Sequence, residues 1–100
     1  MFDNYYKKYG DEFNWHIPND LSSLETQLNN ELNVDHELFS ERLKAVAKST
    51  SDDDVLFTNG KHYYIVHLTW CKGNGKYPLY KKTDTLEQAL MLIERMFLTR

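Results

Sequence analysis

The sequence has one cysteine, two prolines and four glycines among its 100 residues. A lone thiol, Cys71, excludes an internal disulfide and a multi-cysteine zinc site, because each needs more than one sulfur from the chain. So little proline and glycine leaves no room for a linker or low-complexity tract, and residues 1–100 read as a single domain. No apolar run approaches the ~18 residues that cross a bilayer, so no membrane contact is expected. The opening Met1-Phe2-Asp3-Asn4-Tyr5-Tyr6 lacks the basic start and apolar stretch of a secretory signal, which predicts a cytoplasmic protein. Signatures of chemistry are also missing. There is no H-E-x-x-H, no phosphate-cradling glycine loop and no serine on an elbow motif. No metal and no cofactor is expected.

Fifteen acidic against twelve basic side chains give a net charge of −3. The hydrophobic share of 41% suits a folded domain, and a chain this short is expected to bury one modest core. The charge is uneven. Residues 55–83 contain no Asp or Glu but five lysines, Lys61, Lys72, Lys76, Lys81 and Lys82, with Asp52-Asp53-Asp54 before them and Asp84 after.

The first fifteen residues hold Phe2, Tyr5, Tyr6, Tyr9, Phe13 and Trp15. Disordered tails are poor in aromatics, so segment 1–19 is expected to pack on the body, with a helical turn ended by Gly10. Leu21, Leu24, Leu28 and Leu32 predict a helix capped by Asp20, with Ser22 and Glu25 as a competing capping box. Phe39, Leu43, Val46 and Ala47 predict a second helix over 35–47. Asn59-Gly60 between apolar runs predicts a hairpin over 55–70 with a two-residue loop, setting Thr58 opposite Lys61 and Val55 opposite Tyr64. Alternation then puts Val55, Phe57, His62, Tyr64, Val66, Leu68 and Trp70 on one face, expected to face the core, and Leu56, Tyr63, Ile65, His67 and Thr69 on the other. Residues 77–80 contain Pro78 and read as an edge strand. Asp84 with Glu87 caps a last helix carrying Leu86, Ala89, Leu90, Ile93 and Phe97. The expected fold is α+β, order α-α-β-β-β-α: a three-stranded antiparallel sheet packed against N-terminal helices and a C-terminal helix.

Three functions compete. The favoured one is a non-enzymatic protein-binding module, with Leu56, Tyr63, Ile65 and Tyr80 as an apolar patch rimmed by Lys61, Lys81 and Lys82. Against it, the aromatic N-terminal segment covers that same patch from within. The alternative is an enzyme or small-ligand binder using His67, His36 and Asp54, a base with carboxylates nearby. Its plain counterpart is a histidine that bonds a carboxylate for structure, with the aspartates supporting a turn. Third comes a single-stranded nucleic-acid binder built on the lysines and tyrosines. It is disfavoured by the absence of arginine from that stretch and by the pI of about 5.7. Lysines on an edge strand also simply deter aggregation. Pairing of that edge with a second copy would give an oligomer.

The run Asp53-Asp54-Val55-Leu56-Phe57, then Tyr64-Ile65-Val66-His67-Leu68-Thr69-Trp70, then Tyr77-Pro78, resembles a family of small bacterial proteins. These share D-D-V-L-F, a short hairpin, V-H-L-T-W and a proline-containing strand. Upstream, His36-x-Leu38 with Ala45-x-Ala47 is similar to the helix leading into the family's aspartate pair. The likeness covers residues 31–80. It brings no established activity and implies no catalytic residue; it marks His36, Asp54, His67 and Trp70 as positions of interest. It implies a bacterial protein, which fits an inhibitor, adaptor or immunity-type role.

Overall fold

A computed structural model describes residues 1–100 as an α+β fold with a five-stranded antiparallel sheet. In chain order the elements are α1 (Asp3–Tyr9), a 3-10 turn (Gly10–Glu12), β1 (Trp15–His16), α2 (Ser22–Glu31), β2 (Lys44–Ser49), β3 (Asp54–Thr58), β4 (Tyr63–His67), β5 (Tyr80–Thr83) and α3 (Leu86–Leu98). The strands neighbour one another in sequence order, a simple meander. The expected three strands thus become five. β1 lies within the aromatic segment, and the helix expected over 35–47 does not form: a series of turns replaces its first part, and the opening of β2 replaces its last four residues.

Local chemistry explains that replacement. Ala45, Ala47 and Ser49 are buried while Lys44, Val46 and Lys48 are less so, an alternation with period two. Alanine is the best helix former, but here its small side chain fits between sheet and covering layers, and tertiary packing overrides propensity. Val46 is an extra residue in β2, because Ala45 faces Phe57 and Ala47 faces Leu56 on β3. This bulge turns Ala45 and Ala47 to opposite sides of the sheet, each joining a different core.

The hairpin of β3 and β4 forms, with its register displaced. Thr58 faces Tyr63 and Val55 faces Val66. Asn59 and His62 therefore stand opposite each other, and the tip moves on to Gly60 and Lys61. Asn59 causes this. Its side-chain oxygen accepts the N–H groups of Lys61 and His62 at 2.9 and 2.8 Å, closing the loop that a backbone turn would otherwise close. A displacement of two residues preserves which way each side chain points, so the expected facing of β3 and β4 survives the corrected register, whereas Trp70, expected on the core face, lies beyond β4 and is exposed.

Both faces are covered. Val55, Phe57, Tyr64, Val66 and Leu68 pack with Ala45, Leu24 and Leu28 of α2, and Leu38 and Leu43 of the connecting stretch. On the other side Leu56, Ile65 and Ala47 pack under Phe2, Phe13 and Trp15 and under Ala89, Ile93 and Phe97 of α3. The single expected core is thus two half-cores with the sheet between them.

The caps form near the expected places. Asp20 accepts the Ser23 N–H at 3.1 Å, while Glu25 leaves the alternative capping box and accepts the Ala45 N–H at 3.0 Å. α3 is capped by Thr85, not Asp84, through the Gln88 N–H at 3.1 Å. Gln88 Oε1 returns to the Asp84 N–H at 3.0 Å, a reciprocal pair one residue later than expected. The edge strand also falls later in the chain, at β5, and Pro78 sits in the loop before it.

Candidate functional site

At one end of the sheet, β3 begins, β4 ends and β5 begins. The loop 68–79 closes that end, and its conformation is fixed from below by Glu31. This side chain lies one helical turn beyond Leu28, on the inward stripe of α2, and is only 1% exposed. Glu31 Oε1 accepts the Thr69 N–H at 2.7 Å and the Thr69 hydroxyl at 2.8 Å. Oε2 accepts the Trp70 N–H at 3.0 Å and the Gln27 amide at 2.8 Å. A buried carboxylate is tolerated because four donors replace its water. The Glu31 carbonyl takes a further bond, from the Gly73 N–H at 2.9 Å.

The rest of the loop is tied in the same manner. Asn74 Oδ1 accepts the N–H groups of Lys76 and Tyr77 at 2.8 and 3.0 Å. His36, 5% exposed, accepts the Leu38 N–H on Nδ1 at 3.0 Å, so its Nε2 carries the hydrogen and donates to Pro78 O at 2.7 Å.

What the loop displays is large and apolar. Trp70 is 52% exposed and Leu79 50%, with Tyr77 nearby in sequence and also exposed. Trp70 has φ 60°, the only non-glycine residue in the left-handed region. That geometry costs on the order of 1–2 kcal/mol for an L-residue. Two bonds hold it there: its N–H to Glu31, and its indole Nε1–H to Asp53 Oδ1 at 2.9 Å.

Asp54 and His67 face each other across β3 and β4, and His67 Nδ1 lies 2.8 Å from Asp54 Oδ1. The carboxylate only accepts, so Nδ1 carries the hydrogen; Nε2 has no hydrogen-bond partner within the protein. The pair borders a cleft of about 290 Å³ lined by Asp54, Ile65, His67, Leu79, Tyr80, Lys81 and Met96. A base with its orienting carboxylate is therefore present. The lining supplies no serine, threonine or cysteine as a nucleophile. The exposed Cys71 turns its thiol back to Thr69 O at 3.2 Å. No three of the His, Cys, Asp and Glu side chains gather as a metal site.

The expected site residues therefore separate. Asp54 and His67 meet, whereas His36 lies beneath the loop with both ring nitrogens used. Asp53 and Asp54 hold the side chains of Trp70 and His67 instead of supporting a turn. Leu56 and Ile65 are buried under α3 and the aromatic segment, and Ile65 shows only the edge that lines the cleft. Tyr63 is half-buried on that same side. Tyr80 turns to the opposite face, against Tyr64 and His36. Lys61 stands exposed at the hairpin tip, and Lys81 and Lys82 are exposed on β5. With both sheet faces covered, Tyr63 and Tyr64 form no open stacking platform. Glu31, Leu79 and Met96 escaped the reading of the sequence. Glu31 had one available signal, its place at the i+3 position after Leu28.

No family model, curated protein or solved structure matches the chain, so the resemblance of residues 31–80 carries no family assignment.

Proposed function

We propose that this is a non-enzymatic protein-binding module, of inhibitor, adaptor or immunity type, whose contact surface is the loop 68–79. The carrying observation is the combination of a loop locked by a buried carboxylate and large apolar side chains exposed on it. Ordering a loop at the moment of binding reduces affinity; a loop already ordered by Glu31, His36 and Asn74 avoids that loss. Tryptophan and tyrosine are favoured anchors at interfaces; Trp70 and Tyr77 are exposed on the loop, Lys76 lies 5.4 Å over the Tyr77 ring, and Lys81 lines the cleft with Leu79. This moves the contact surface from the sheet face expected from sequence to the loop at its end. A bacterial cytoplasm fits the exposed, unpaired Cys71, which an oxidising compartment would pair or oxidise.

The test is affinity capture from the source organism with three baits: the native chain, a Trp70→Ala/Leu79→Ala double variant, and Met91→Ala on the exposed side of α3. The native chain and Met91→Ala should retain the same protein, and the double variant should lose it. Equal capture by all three would refute the loop as the contact surface.

A second reading, a small-ligand or catalytic site, has one observation in its favour: the Asp54–His67 pair at the mouth of the cleft. It predicts an activity or ligand affinity that His67→Ala abolishes while leaving partner capture intact.

A further inference from the structure

We infer that the open edge of β5 binds an extended acidic peptide as a sixth strand. The inference rests on the protein-binding reading above and names the chemistry of the partner.

Ladder geometry decides which backbone groups are open. In an antiparallel pair, residues alternately turn their N–H and C=O toward one neighbour and then the other. The His67 N–H donates to Leu79 O at 3.0 Å. Ile65 faces Lys81 and Tyr63 faces Thr83 in the same ladder. Leu79, Lys81 and Thr83 thus direct their backbone groups to β4. Tyr80 and Lys82 direct theirs outward, at the end of the sheet where no further strand lies. Outside the ladder, neither residue's N–H or C=O takes part in a backbone hydrogen bond. These are the groups an added strand pairs with.

Charge selects the occupant. Lys81 and Lys82 are adjacent in the strand, so they point to opposite faces, and both are exposed. Neither takes part in an ion pair; the lysines that do are Lys8 and Lys44. Two consecutive acidic residues in an incoming strand set one carboxylate against each lysine. An apolar residue two positions away shares a face with the acid opposite Lys81, on the side of the cleft lined by Leu79 and Met96. A second copy of this chain is the wrong occupant. Antiparallel pairing of two β5 edges through the outward groups of Tyr80 and Lys82 centres on Lys81 or on Lys82 and sets that lysine directly across from its own copy.

The probe is the acetylated and amidated hexapeptide Thr-Val-Glu-Glu-Val-Thr, added at low salt to the ¹⁵N-labelled full chain, with Thr-Val-Lys-Lys-Val-Thr as its counterpart. Amide exchange at Tyr80 and Lys82 should slow by about tenfold or more with the acidic peptide and not with the basic one. The Lys81→Glu/Lys82→Glu variant should reverse that preference. No slowing at Tyr80 and Lys82, or equal slowing by both peptides, overturns the inference. The same variant in the capture experiment separates the two claims. A partner lost by Trp70→Ala/Leu79→Ala but kept by the charge-reversed chain leaves the loop reading standing and overturns the edge. A partner kept by both variants overturns both.

Discussion

The carboxylate of Glu31 accepts the Trp70 N–H at 3.0 Å, so one buried acid on a helix sets the backbone of an exposed tryptophan in the left-handed region. The loop's shape therefore depends on a residue that is itself buried beneath it. In Glu31→Gln, one carboxylate oxygen becomes an NH₂ group facing either the Thr69 donors or the Trp70 N–H. We expect a loss of about 3 kcal/mol in urea unfolding, the scale of charge-assisted bonds replaced by donor–donor conflict. Amide exchange at Thr69 and Trp70 should rise with it. A change below about 0.5 kcal/mol would show that the loop is held by other contacts.

Position 70 tests backbone strain separately from side-chain contacts. Trp70→Gly and Trp70→Ala both remove the indole and its bond to Asp53. Only glycine relieves the φ of 60°. The glycine variant should be the more stable of the two by about 1 kcal/mol. If the proposed loop contact holds, neither should retain a captured protein. Alanine equal to glycine in thermal unfolding would mean that the left-handed conformation is not retained in solution.

Gly73 is required for a different reason, space. A Cβ there would press into the Tyr77 carbonyl oxygen and stand 2.5 Å from the Glu31 carbonyl oxygen, both rigid backbone atoms. Gly73→Ala should destabilise by about 1–3 kcal/mol, as overpacking does. Gly60→Ala meets no neighbouring atom, so any loss there comes from its φ of 92° alone. Nuclear magnetic resonance shifts should spread to Glu31 and Tyr77 in the first variant and stay at the hairpin tip in the second.

The aromatic segment is clamped to α3 by a pH-sensitive pair. The Tyr9 hydroxyl donates to Glu94 Oε2 at 2.5 Å, and Lys8 reaches the same oxygen at 3.2 Å. The bond from Tyr9 holds the Glu94 carboxyl below its ordinary value of 4.5, and Lys8 adds to this. The same bond holds the Tyr9 hydroxyl above its ordinary value of 10.0, with burial acting in the same direction. A depressed carboxyl contributes stability above its unfolded value and loses it as pH falls through the folded one. A raised phenol contributes below its unfolded value and loses it as pH rises through the folded one. The difference in melting temperature between the native chain and Tyr9→Phe should be flat between these limits and shrink at both ends. A difference that persists unchanged into acid would mean that Glu94 is not Tyr9's partner.

The sequence made some of this legible and hid the rest for identifiable reasons. Facing along β3 and β4 follows from alternation, and it survives because Asn59 moves the turn by a step that keeps parity. β2 is hidden because Val46 and Ala47 also continue the helical spacing of Phe39 and Leu43, and alanine favours a helix, so the period-two burial of 44–49 competes with a helical reading. Asp54 and His67 were both singled out, but only their pairing across adjacent strands gives them a shared role. His36 resembles a catalytic candidate in type and serves as a strut, a distinction made by its partners, Leu38 and Pro78, and not by its neighbours in sequence. Glu31 is the hardest case, since a carboxylate on a helix normally reads as solvent-facing.

The division of the interior by the sheet has a consequence for how the chain is made. The side served by α2 draws its buried residues from 24–68, with Tyr80 of β5 packing against it afterwards. The side holding Leu56 and Ile65 needs Ala89, Ile93 and Phe97, which are synthesised last. Before them, the cover for that greasy surface comes from Phe2, Phe13 and Trp15, with Tyr5 and Tyr9 beside them. The aromatic start is thus the earliest-made cover for that side of the sheet.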